Sequence, residues 1–366
     1  MSKKVFVGLS GGVDSSVTAA LLKQQGYDVT GVYMKNWSRD LPGHPCPWKE
    51  DYQDAKRVAV QLGIDFLLFD FEKEYQDKVV DYMIEEYQAG RTPNPDIMCN
   101  QEVKFKLFLH AALDKGADMI ATGHYARVKN SEISKFEIRN SKLGQLHVAK
   151  DTNKDQTYFL YRITSEALSK TLFPLGDYTK PEVRQLAKEL GLVTATKKES
   201  MGICFVGKVG IKDFLSQYVT TTPGDIVDQY GRVIGQHSGA IFYTIGQRHG
   251  LDVGGGLPYY VIGKDMGKNQ VYVSTDINDP ALWTDKLNLT NMHWINGEPD
   301  GEQVVQIRTR HRAPLVEATL QVVPANTTGS GSTLQIALSS EIKSPAPGQS
   351  TVIYQNGQVL GGGIII

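Results

Sequence analysis

The sequence predicts an α/β protein in three parts: a doubly wound parallel sheet at the N-terminus, a small mostly-β central domain and a C-terminal β-barrel. Apolar strands alternate with amphipathic helices over residues 1–125, which is typical of a parallel sheet covered by helices on both faces. Short β segments separated by glycine follow over 209–285, and alternating strands between Gly and Pro turns fill 286–366. We therefore expect domain boundaries at 1–208, 209–285 and 286–366.

Apolar runs and their stop signals define the individual elements. The predicted strands of the first domain lie at 5–9, 29–34, 64–71 and 119–122. The predicted helices lie over 13–25, with Gly26 just past the end, and over 55–62, 75–83, 156–162 and 181–190. The last helix has Thr179 and Glu182 at capping-box spacing and Gly191 at its end. A hairpin is expected through 136–139 and 146–150, as an addition that closes the nucleotide domain. Further strands are expected at 241–243, 259–262, 304–309, 318–323, 333–337 and 361–366.

The composition is that of an ordinary globular chain, with 41% hydrophobic and 22% charged residues. No apolar run reaches the length of a membrane span and no secretory leader precedes Val5, so a cytoplasmic location without a membrane partner is expected. The net charge is −1, so binding to nucleic acid would require a local basic surface. Such clusters, which are otherwise solvated faces, are Arg308, Arg310, His311 and Arg312, and Lys197 with Lys198.

Residues 10–16, Ser-Gly-Gly-Val-Asp-Ser-Ser, stand where the first strand gives way to the first helix. Gly11 and Gly12 allow a sharp turn and let main-chain amides approach a ligand. The start of the helix adds unpaired N–H groups and the positive end of its dipole, so the pattern indicates a phosphate-binding loop. A glycine-rich turn capped by Asp14 or Ser15 is the alternative without a ligand. No Gly-Lys-Ser/Thr follows the glycines, which excludes a Walker A motif.

The loop at 10–16 is one of three predicted strand ends that could meet. Ligands of open α/β sheets bind beyond the carboxyl ends of the strands. The other two ends lie near Met34 and at Gly123-His124. We expect a nucleotide to span all three.

The three cysteines, Cys46, Cys99 and Cys204, are too few and too odd in number for a secreted disulfide framework. No CxxC pair indicates a zinc or iron–sulfur site. Isolated cysteines are either buried small hydrophobes or reactive thiols. Cys99 follows a proline-stiffened loop with Asp96 three residues earlier, where a carboxylate could act as general acid or base. Cys204 lies in a turn around Gly202, and spacing alone leaves both alternatives open for each thiol.

Long motifs in a fixed order narrow these possibilities. They are Gly-Leu-Ser-Gly-Gly-Val-Asp-Ser-Ser at 8–16, Arg-Thr-Pro-Asn-Pro-Asp at 91–96, Cys99-Asn100, Lys104-Phe105, Thr-Gly-His-Tyr-Ala-Arg at 122–127, Asn-Lys-Asp-Gln at 153–156, Ser-Met-Gly-Ile-Cys-Phe at 200–205 and Tyr-Thr-Ile-Gly-Gln-Arg at 243–248. The first resembles the SGGxDS signature of the PP-loop ATP pyrophosphatases. Together, over nearly the entire chain, they resemble the tRNA-specific 2-thiouridylase (MnmA/TrmU) family.

The resemblance implies ATP-dependent 2-thiolation of the wobble uridine in the tRNAs for Lys, Glu and Gln, by adenylation of uridine O2 and sulfur transfer from a cysteine persulfide. In the family's pattern Cys204 carries the persulfide, Cys99 attacks it and forms a transient disulfide with Cys204, and Asp96 is the acid/base group. Mg²⁺ is expected with ATP, and no dedicated metal site on the protein is predicted. The implied nucleotide-binding residues are Gly8, Leu9, Ser10, Gly11, Gly12, Val13, Asp14, Ser15, Met34 and Gly123.

The same resemblance implies the partners: the anticodon stem-loop of tRNA, and a sulfur donor such as a cysteine desulfurase or a sulfur-relay protein. Asn94, Pro95 and Asp96 would contact the target base. The other implied tRNA contacts are His124, Lys154, Asp155, Gln156, Arg310, His311 and Gln349. The chain departs from the family at His249, where lysine is more usual, and Cys46 receives no role.

Two alternatives remain. Another PP-loop ATP pyrophosphatase is the first: a 4-thiouridine synthase would normally carry an RNA-binding domain before the loop, and a 2-thiocytidine enzyme would need iron–sulfur cysteine pairs. An amidotransferring synthetase such as GMP synthetase would not need Cys99 and Cys204 in these settings. The second alternative is a nucleotide-regulated RNA-binding protein without chemistry, against which Asp14 and Asp96 also argue.

Overall fold

The computed structural model describes residues 2–41, 43, 45–131, 143–198, 210–251, 253, 254, 256, 258–321 and 334–366. Its strands, in chain order, are β1 (Lys4–Gly8), β2 (Asp28–Lys35), β3 (Asp65–Asp70), β4 (Met119–Ala121), β5 (Arg127–Ser131), β6 (Leu143–His147), β7 (Thr171–Leu172), β8 (Gly224–Asp228), β9 (Val233–His237), β10 (Tyr260–Asp265), β11 (Gln270–Ser274), β12 (Trp283–Trp294), β13 (Gln303–Arg308), β14 (Val316–Gln321), β15 (Leu334–Lys343), β16 (Ser350–Gln355) and β17 (Gln358–Ile365).

The helices include two long stretches that each contain a π-helical segment. The α-helices are α1 (Val13–Gln24), α2 (Trp48–Leu62), α3 (Glu72–Tyr75), α4 (Asp81–Gln88), α5 (Pro95–Met98), α6 (Phe108–Asp114), α7 (Ser165–Ser169), α8 (Lys180–Glu189) and α9 (Ile211–Leu215). A π-helix at Gln76–Val80 joins α3 to α4, and one at Cys99–Leu107 joins α5 to α6. No helix in the described parts of the chain is both long and apolar enough to cross a membrane.

The N-terminal sheet has the strand order β3-β2-β1-β4-β7, and all its pairings are parallel. Its central strand is almost fully buried, with Val5, Phe6 and Val7 at most 1% exposed. The chain moves outward in one direction from β1 to β3 and in the other from β1 to β4. A crevice therefore opens at the carboxyl ends of β1 and β4, where open α/β sheets bind ligands.

The last long helix of this domain, α8, begins as its sequence predicts. The Thr179 hydroxyl accepts from the Glu182 backbone N–H, and the Glu182 carboxylate accepts from the Thr179 backbone N–H. This capping box satisfies two backbone donors that helix formation leaves unpaired. The start of α8 is thus fixed, and with it the position of Lys180.

The central region forms a four-stranded sheet in the order β10-β11-β8-β9. The pairing of β8 with β11 is parallel and the other two are antiparallel. Ile226, Val261 and Val271 are fully buried in a small core on this sheet.

A closed six-stranded barrel forms the C-terminal region. Its order is β12-β15-β14-β13-β16-β17, and β17 pairs back to β12. The barrel continues into the N-terminal half of the chain, because β6 of the β5–β6 hairpin pairs with β17 through Val359 and Leu146. The predicted fold class, a parallel α/β sheet followed by a β-rich central region and a barrel, is confirmed.

Three local predictions differ from the structure. The helix expected at 156–162 is a short 3₁₀ turn, Thr157–Phe159, and the strand expected at 241–243 is a 3₁₀ turn, Ala240–Phe242. The hairpin strand expected at 146–150 is found as β6, but its partner is β5. The segment 136–139 lies outside the described residues.

The main hydrophobic core crosses all three regions. It includes Phe6 from the N-terminal sheet, Phe108 from α6, Phe214 from the central region, and Val352 and Tyr354 from the barrel. Burial of apolar surface is the dominant favourable contribution to folding. Because the core is shared, the stability of each region depends on the other two.

Phe108→Ala tests this core. Phe108 is completely buried and its ring centroid lies 6.2 Å from that of Phe69. We expect the substitution to lower the free energy of unfolding by about 3–5 kcal/mol, because a cavity replaces the ring. Urea titration monitored by tryptophan fluorescence measures the effect. Val60→Ala is the control, since Val60 is 73% exposed, and an equal loss in both variants would contradict the assignment of Phe108 to the core.

Candidate active site

The loop between β1 and α1 is braced by its own side chains. The Ser10 backbone N–H donates to Ser15 Oγ at 3.2 Å, and Ser15 Oγ donates to the Gly12 carbonyl at 3.1 Å. Gly11 has a φ of +73°, and a Cβ on it would lie 2.3 Å from the Asp51 carbonyl oxygen. The residue before α1 is Gly12, which has no side chain to cap the helix. The first N–H groups of α1 therefore remain available to an anion.

The end of β4 passes directly over this loop. A Cβ on Gly123 would lie 2.8 Å from the Ser15 backbone nitrogen and 2.9 Å from the Asp14 carbonyl carbon. On the other side, a Cβ on Gly8 would lie 3.0 Å from the Met34 methyl carbon. The structure thus brings together the ends of β1, β2 and β4, which carry the predicted nucleotide-binding residues.

An ion pair between Asp14 and Lys180, which the sequence analysis did not predict, lies beside this loop. Lys180 Nζ lies 2.8 Å from both carboxylate oxygens of Asp14, and the Tyr125 hydroxyl donates to Asp14 Oδ1 at 2.9 Å. Lys180 is only 8% exposed. The only sequence signal for it is its place directly after the capping residue Thr179, and that signal does not identify a partner 166 residues away.

The predicted catalytic residues Asp96 and Cys99 lie in one continuous helical stretch. Asn94 precedes α5 in an extended conformation, and α5 leads directly into the π-helix that starts at Cys99. Residues three apart in a helix lie on one face. Cys99 is 3% exposed. Burial raises the pKa of the Asp96 carboxyl, and the nearby Lys104 ammonium opposes that rise.

His124 adjoins both the nucleotide loop and the Asp96 helix. Its Nδ1 lies 2.8 Å from Thr122 Oγ1, and its ring packs against Phe105 and Phe173 at centroid distances of 5.7 and 6.1 Å. Burial, and then the Lys104 charge, hold the pKa of His124 well below its usual value. The Lys104 charge thus acts on both His124 and Asp96, which places these two side chains near the same ammonium group.

The segment 153–156 is held in place by hydrogen bonds to other residues of the protein. Asp155 is 3% exposed and its carboxylate accepts from the Ala149 N–H at 3.0 Å and the Thr157 hydroxyl at 2.7 Å. Gln156 Oε1 accepts from the Tyr125 backbone N–H at 2.9 Å. Both side chains therefore have structural partners, and their contact with tRNA remains a prediction.

The basic cluster in the barrel lies against this segment. Arg312 Nε donates to the Asn153 carbonyl at 3.1 Å, and the His311 ring packs on Phe159 at 4.6 Å. Burial together with the charges of Arg312, Arg308 and Lys154 lowers the pKa of His311 to about 4. The other cluster is different: Lys197 Nζ pairs with Asp51 and Asp54 at 2.7 and 2.6 Å, so its charge is balanced within the protein.

Comparisons with known proteins agree with this architecture. The family model for the tRNA methyl transferase HUP domain matches residues 3–208, the PRC-barrel domain model of the same group matches 212–275, and the aminomethyltransferase β-barrel domain model matches 284–365. The tRNA-specific 2-thiouridylase MnmA of Bacillus subtilis (strain 168) is 46% identical over 365 residues, covering 99% of this chain and 94% of that protein. The chain belongs to the tRNA-specific 2-thiouridylase family. The predicted resemblance, and the prediction that the chain is an enzyme, are confirmed.

A second relative and one solved structure are also similar to the chain. The tRNA-specific 2-thiouridylase MnmA of Bacillus velezensis is 47% identical over 365 residues, 99% of this chain and 94% of that protein. Among solved structures, a 4-thiouridine synthetase–RNA complex with bound ATP is similar with a TM-score of 0.38 and 20% identity, covering 59% of this chain and 50% of that chain.

The structure also shows the surroundings of the other residues that the sequence analysis named in this 2-thiouridylase family member, except for Cys204. Arg310 Nη2 donates to the Ser344 carbonyl at 2.5 Å, and Gln349 Nε2 donates to the Thr92 carbonyl at 2.8 Å. Cys46 is half-buried and its thiol, whose pKa burial raises, donates to the Trp37 carbonyl at 3.7 Å. Cys204 lies outside the described residues, so its role stays a prediction.

His124→Asn tests the electrostatics of the pocket. Unfolded histidine binds a proton near pH 6.5, whereas folded His124 does so only at lower pH. Below pH 6.5 the unfolded state therefore binds one more proton than the folded state. The free energy of unfolding decreases as the pH is lowered from 6.5 to the pKa of folded His124. We expect His124→Asn to remove about 1.4 kcal/mol of this loss per pH unit. Urea titrations from pH 5 to 8 measure it, with the exposed His110→Asn as control. Identical pH dependence in wild type and His124→Asn would refute the assignment.

Proposed function

We propose that this protein catalyses ATP-dependent 2-thiolation of the wobble uridine in the tRNAs for Lys, Glu and Gln. The observation that carries the proposal is the close approach of Gly123 to the glycine-rich loop at 10–16. His124 follows Gly123 directly and lies near the helix that contains Asp96 and Cys99. This arrangement supports a nucleotide and an acceptor base meeting in one pocket. Membership in the 2-thiouridylase family supports uridine in tRNA as that acceptor.

The loop at 10–16 fits the phosphates of ATP. Its glycines leave no side chain between the backbone and an anion, and the uncapped start of α1 offers N–H donors. Lys180 pairs with Asp14 beside this loop, so the Asp14 carboxylate adds no unbalanced negative charge next to the phosphates. Bound ATP would supply the adenylate that makes uridine O2 a good leaving group, with Mg²⁺ accompanying its phosphates.

Asp96 is suited to general acid/base work in this pocket. Its raised pKa keeps a proton on the carboxyl at higher pH than usual, which favours donation to the uridine ring. The lowered pKa of His124 leaves that ring neutral at pH 7, so it adds no charge beside an uncharged base. Asn94 and Pro95 lie directly before Asp96 and would hold the base edge.

Sulfur transfer requires both thiols. The persulfide sulfur on Cys204 forms the new bond to C2 while the C2–O bond breaks and the oxygen leaves with adenylate. The Cys99 thiolate attacks Cys204 Sγ, the persulfide S–S bond breaks, and a Cys99–Cys204 disulfide forms. An external dithiol supplies two electrons to restore both thiols, and a separate donor supplies the next sulfur. Attack by released sulfide on C2 leads to the same disulfide.

Within the barrel cluster, the exposed Arg310 and Arg312 are suited to the tRNA backbone, whereas Arg308 pairs with Asp155 at 3.6 Å. The cluster lies beside the segment 153–156, which is bonded through Gln156 to Tyr125 and so to Asp14. Phosphate contacts of this type position a nucleic acid without reading its sequence. The target base must leave the stack of the anticodon loop, at a cost of a few kcal/mol.

Cys204→Ser tests the persulfide assignment. The protein is incubated with tRNA-Lys, ATP, Mg²⁺ and a persulfide donor, and nucleosides are analysed by mass spectrometry. We expect wild type to form 2-thiouridine and Cys204→Ser to form none while binding ATP normally. Cys46→Ser is the matched control and is expected to retain activity. Thiolation by Cys204→Ser would refute the sulfur route, and the absence of 2-thiouridine with wild type would favour another PP-loop activity.

Asp14→Ala tests the nucleotide loop. The change leaves the Lys180 ammonium without its carboxylate and removes the acceptor of the Tyr125 hydroxyl. We expect kcat/KM for ATP to fall about tenfold, a modest figure because Asp14 is partly exposed. Pyrophosphate release in the presence of tRNA is the measurement, and the exposed Asp28→Ala is the control. Normal pyrophosphate release by Asp14→Ala would contradict the role.

A further inference from the structure

The loop before the Asp96 helix is held by residues from both of the other regions. Thr92 N–H donates to the Pro347 carbonyl at 2.8 Å, and Gln349 Nε2 donates to the Thr92 carbonyl at 2.8 Å. The Thr92 and Thr244 hydroxyl oxygens lie 3.0 Å apart. We call these residues, with Gly348, the Thr92 junction.

The barrel side of the junction leaves no space for rearrangement. Gly348 has a φ of +91°, and a Cβ on it would lie 2.7 Å from the Thr92 nitrogen. Its N–H donates to the Ile365 carbonyl at 2.9 Å, and the Ile365 N–H donates to the Gln349 carbonyl at 2.9 Å. The turn that contacts Thr92 is therefore fixed to the last strand of the barrel.

The central region contributes a second fixed surface. A Cβ on Gly90 would lie 2.7 Å from Met266 Cγ, so the chain just before Thr92 packs closely on this region. A Cβ on Gly246, two residues after Thr244, would lie 2.5 Å from Ser344 Cβ of the barrel. The two regions thus contact each other as well as the loop, and Thr92 lies where all three meet.

The chain after Thr92 is stiff. Pro93 and Pro95 each fix a φ angle, and Pro95 begins the helix that continues through Cys99 to Asp114. Only three residues separate Thr92 from Asp96. A displacement of Thr92 is therefore passed on to Asp96 and Cys99 rather than absorbed by the loop.

We propose that Gln349 and Thr244 are positioning residues that set the location of Asp96 and Cys99 by holding Thr92. This inference rests on the proposed thiolation at the same site. Neither side chain has to contact the reacting atoms. Their effect passes through the Thr92 backbone and hydroxyl, so the placement of the barrel and the central region determines whether the acceptor pocket is correctly formed.

Positioning and RNA contact make opposite kinetic predictions for Gln349. If the amide mainly contacts tRNA, its loss raises the Kd for tRNA and leaves the rate at saturating tRNA unchanged. If it mainly positions Asp96, its loss lowers that rate and leaves the Kd unchanged. Thr244 sharpens the comparison, because it is not among the predicted tRNA contacts.

Gln349→Met and Thr244→Val remove the polar contacts at similar side-chain size. We expect each to lower the single-turnover rate of 2-thiouridine formation at saturating tRNA by about 10- to 100-fold, because small misplacements of reacting groups are costly. Thr244→Ser keeps the hydroxyl and is expected to restore the rate. Gln335→Met is the control, since that amide bonds Asn288 within the barrel. A raised Kd for tRNA at an unchanged saturating rate would overturn the proposal.

A second measurement does not depend on thiolation. Alkylation of Cys99 by iodoacetamide, quantified by peptide mass spectrometry, reports how accessible this 3% exposed thiol is when Thr92 is displaced. We expect Cys99 to react several-fold faster in Gln349→Met and Thr244→Val, with half-buried Cys46 unchanged as the internal reference. Equal Cys99 rates in all variants, or equal acceleration of Cys46, would refute positioning. Failure of wild type to thiolate would instead count against the proposed function alone.

Discussion

The close approach of Gly123 to the Ser10–Ser16 loop is the constraint on which the site depends. A Cβ at position 123 would lie 2.8 Å from the Ser15 backbone nitrogen, so glycine is needed for the end of β4 to approach the loop this closely. That contact places His124 and Tyr125 immediately beyond the loop. Through Tyr125 the loop reaches Asp14 and Gln156, and through His124 it reaches the pocket of Asp96. A side chain at position 123 would separate the parts that the proposed reaction needs to bring together.

Burial favours the uncharged forms of both titratable side chains of this site, Asp96 and His124. Burial opposes the charged form of both Asp96 and His124, so it raises the pKa of the first and lowers that of the second. Lys104 is the charge that both groups face. A site that suppresses ionisation of its own acid and imidazole suits an uncharged heterocycle, because removal of water from such a ligand costs less than removal from an ion.

The parts that could be predicted from sequence are those with local causes. The glycine-rich turn, the capping box of α8 and the alternating strands of the barrel each depend on residues close together in the chain. The prediction of a helix at 156–162 was wrong because the side chains at its start make tertiary hydrogen bonds. The Asp155 carboxylate accepts from the Ala149 N–H, and Gln156 Oε1 accepts from the Tyr125 N–H. Tertiary bonds of this kind override a favourable helical pattern.

Contacts between distant residues account for what sequence reasoning missed. Lys180 pairs with Asp14 across 166 positions, and Gln349 bonds Thr92 across 257. Neither pair has a spacing or a motif that connects its members. Gln349 was expected only as a tRNA contact, since the resemblance carries a residue's role but not its internal partner.

The pairing of β6 with β17 puts the β5–β6 hairpin of the N-terminal half into the same hydrogen-bonded sheet as the barrel. The barrel therefore cannot be separated as an independent module by cutting the chain near residue 285. Separation would leave backbone groups of β6 and of the start of β17 unpaired where Leu146 meets Val359, and exposed strand edges recruit other strands. For protein engineering, the useful unit is the whole chain, and an exchange of barrels between relatives would have to carry the β5–β6 hairpin with it.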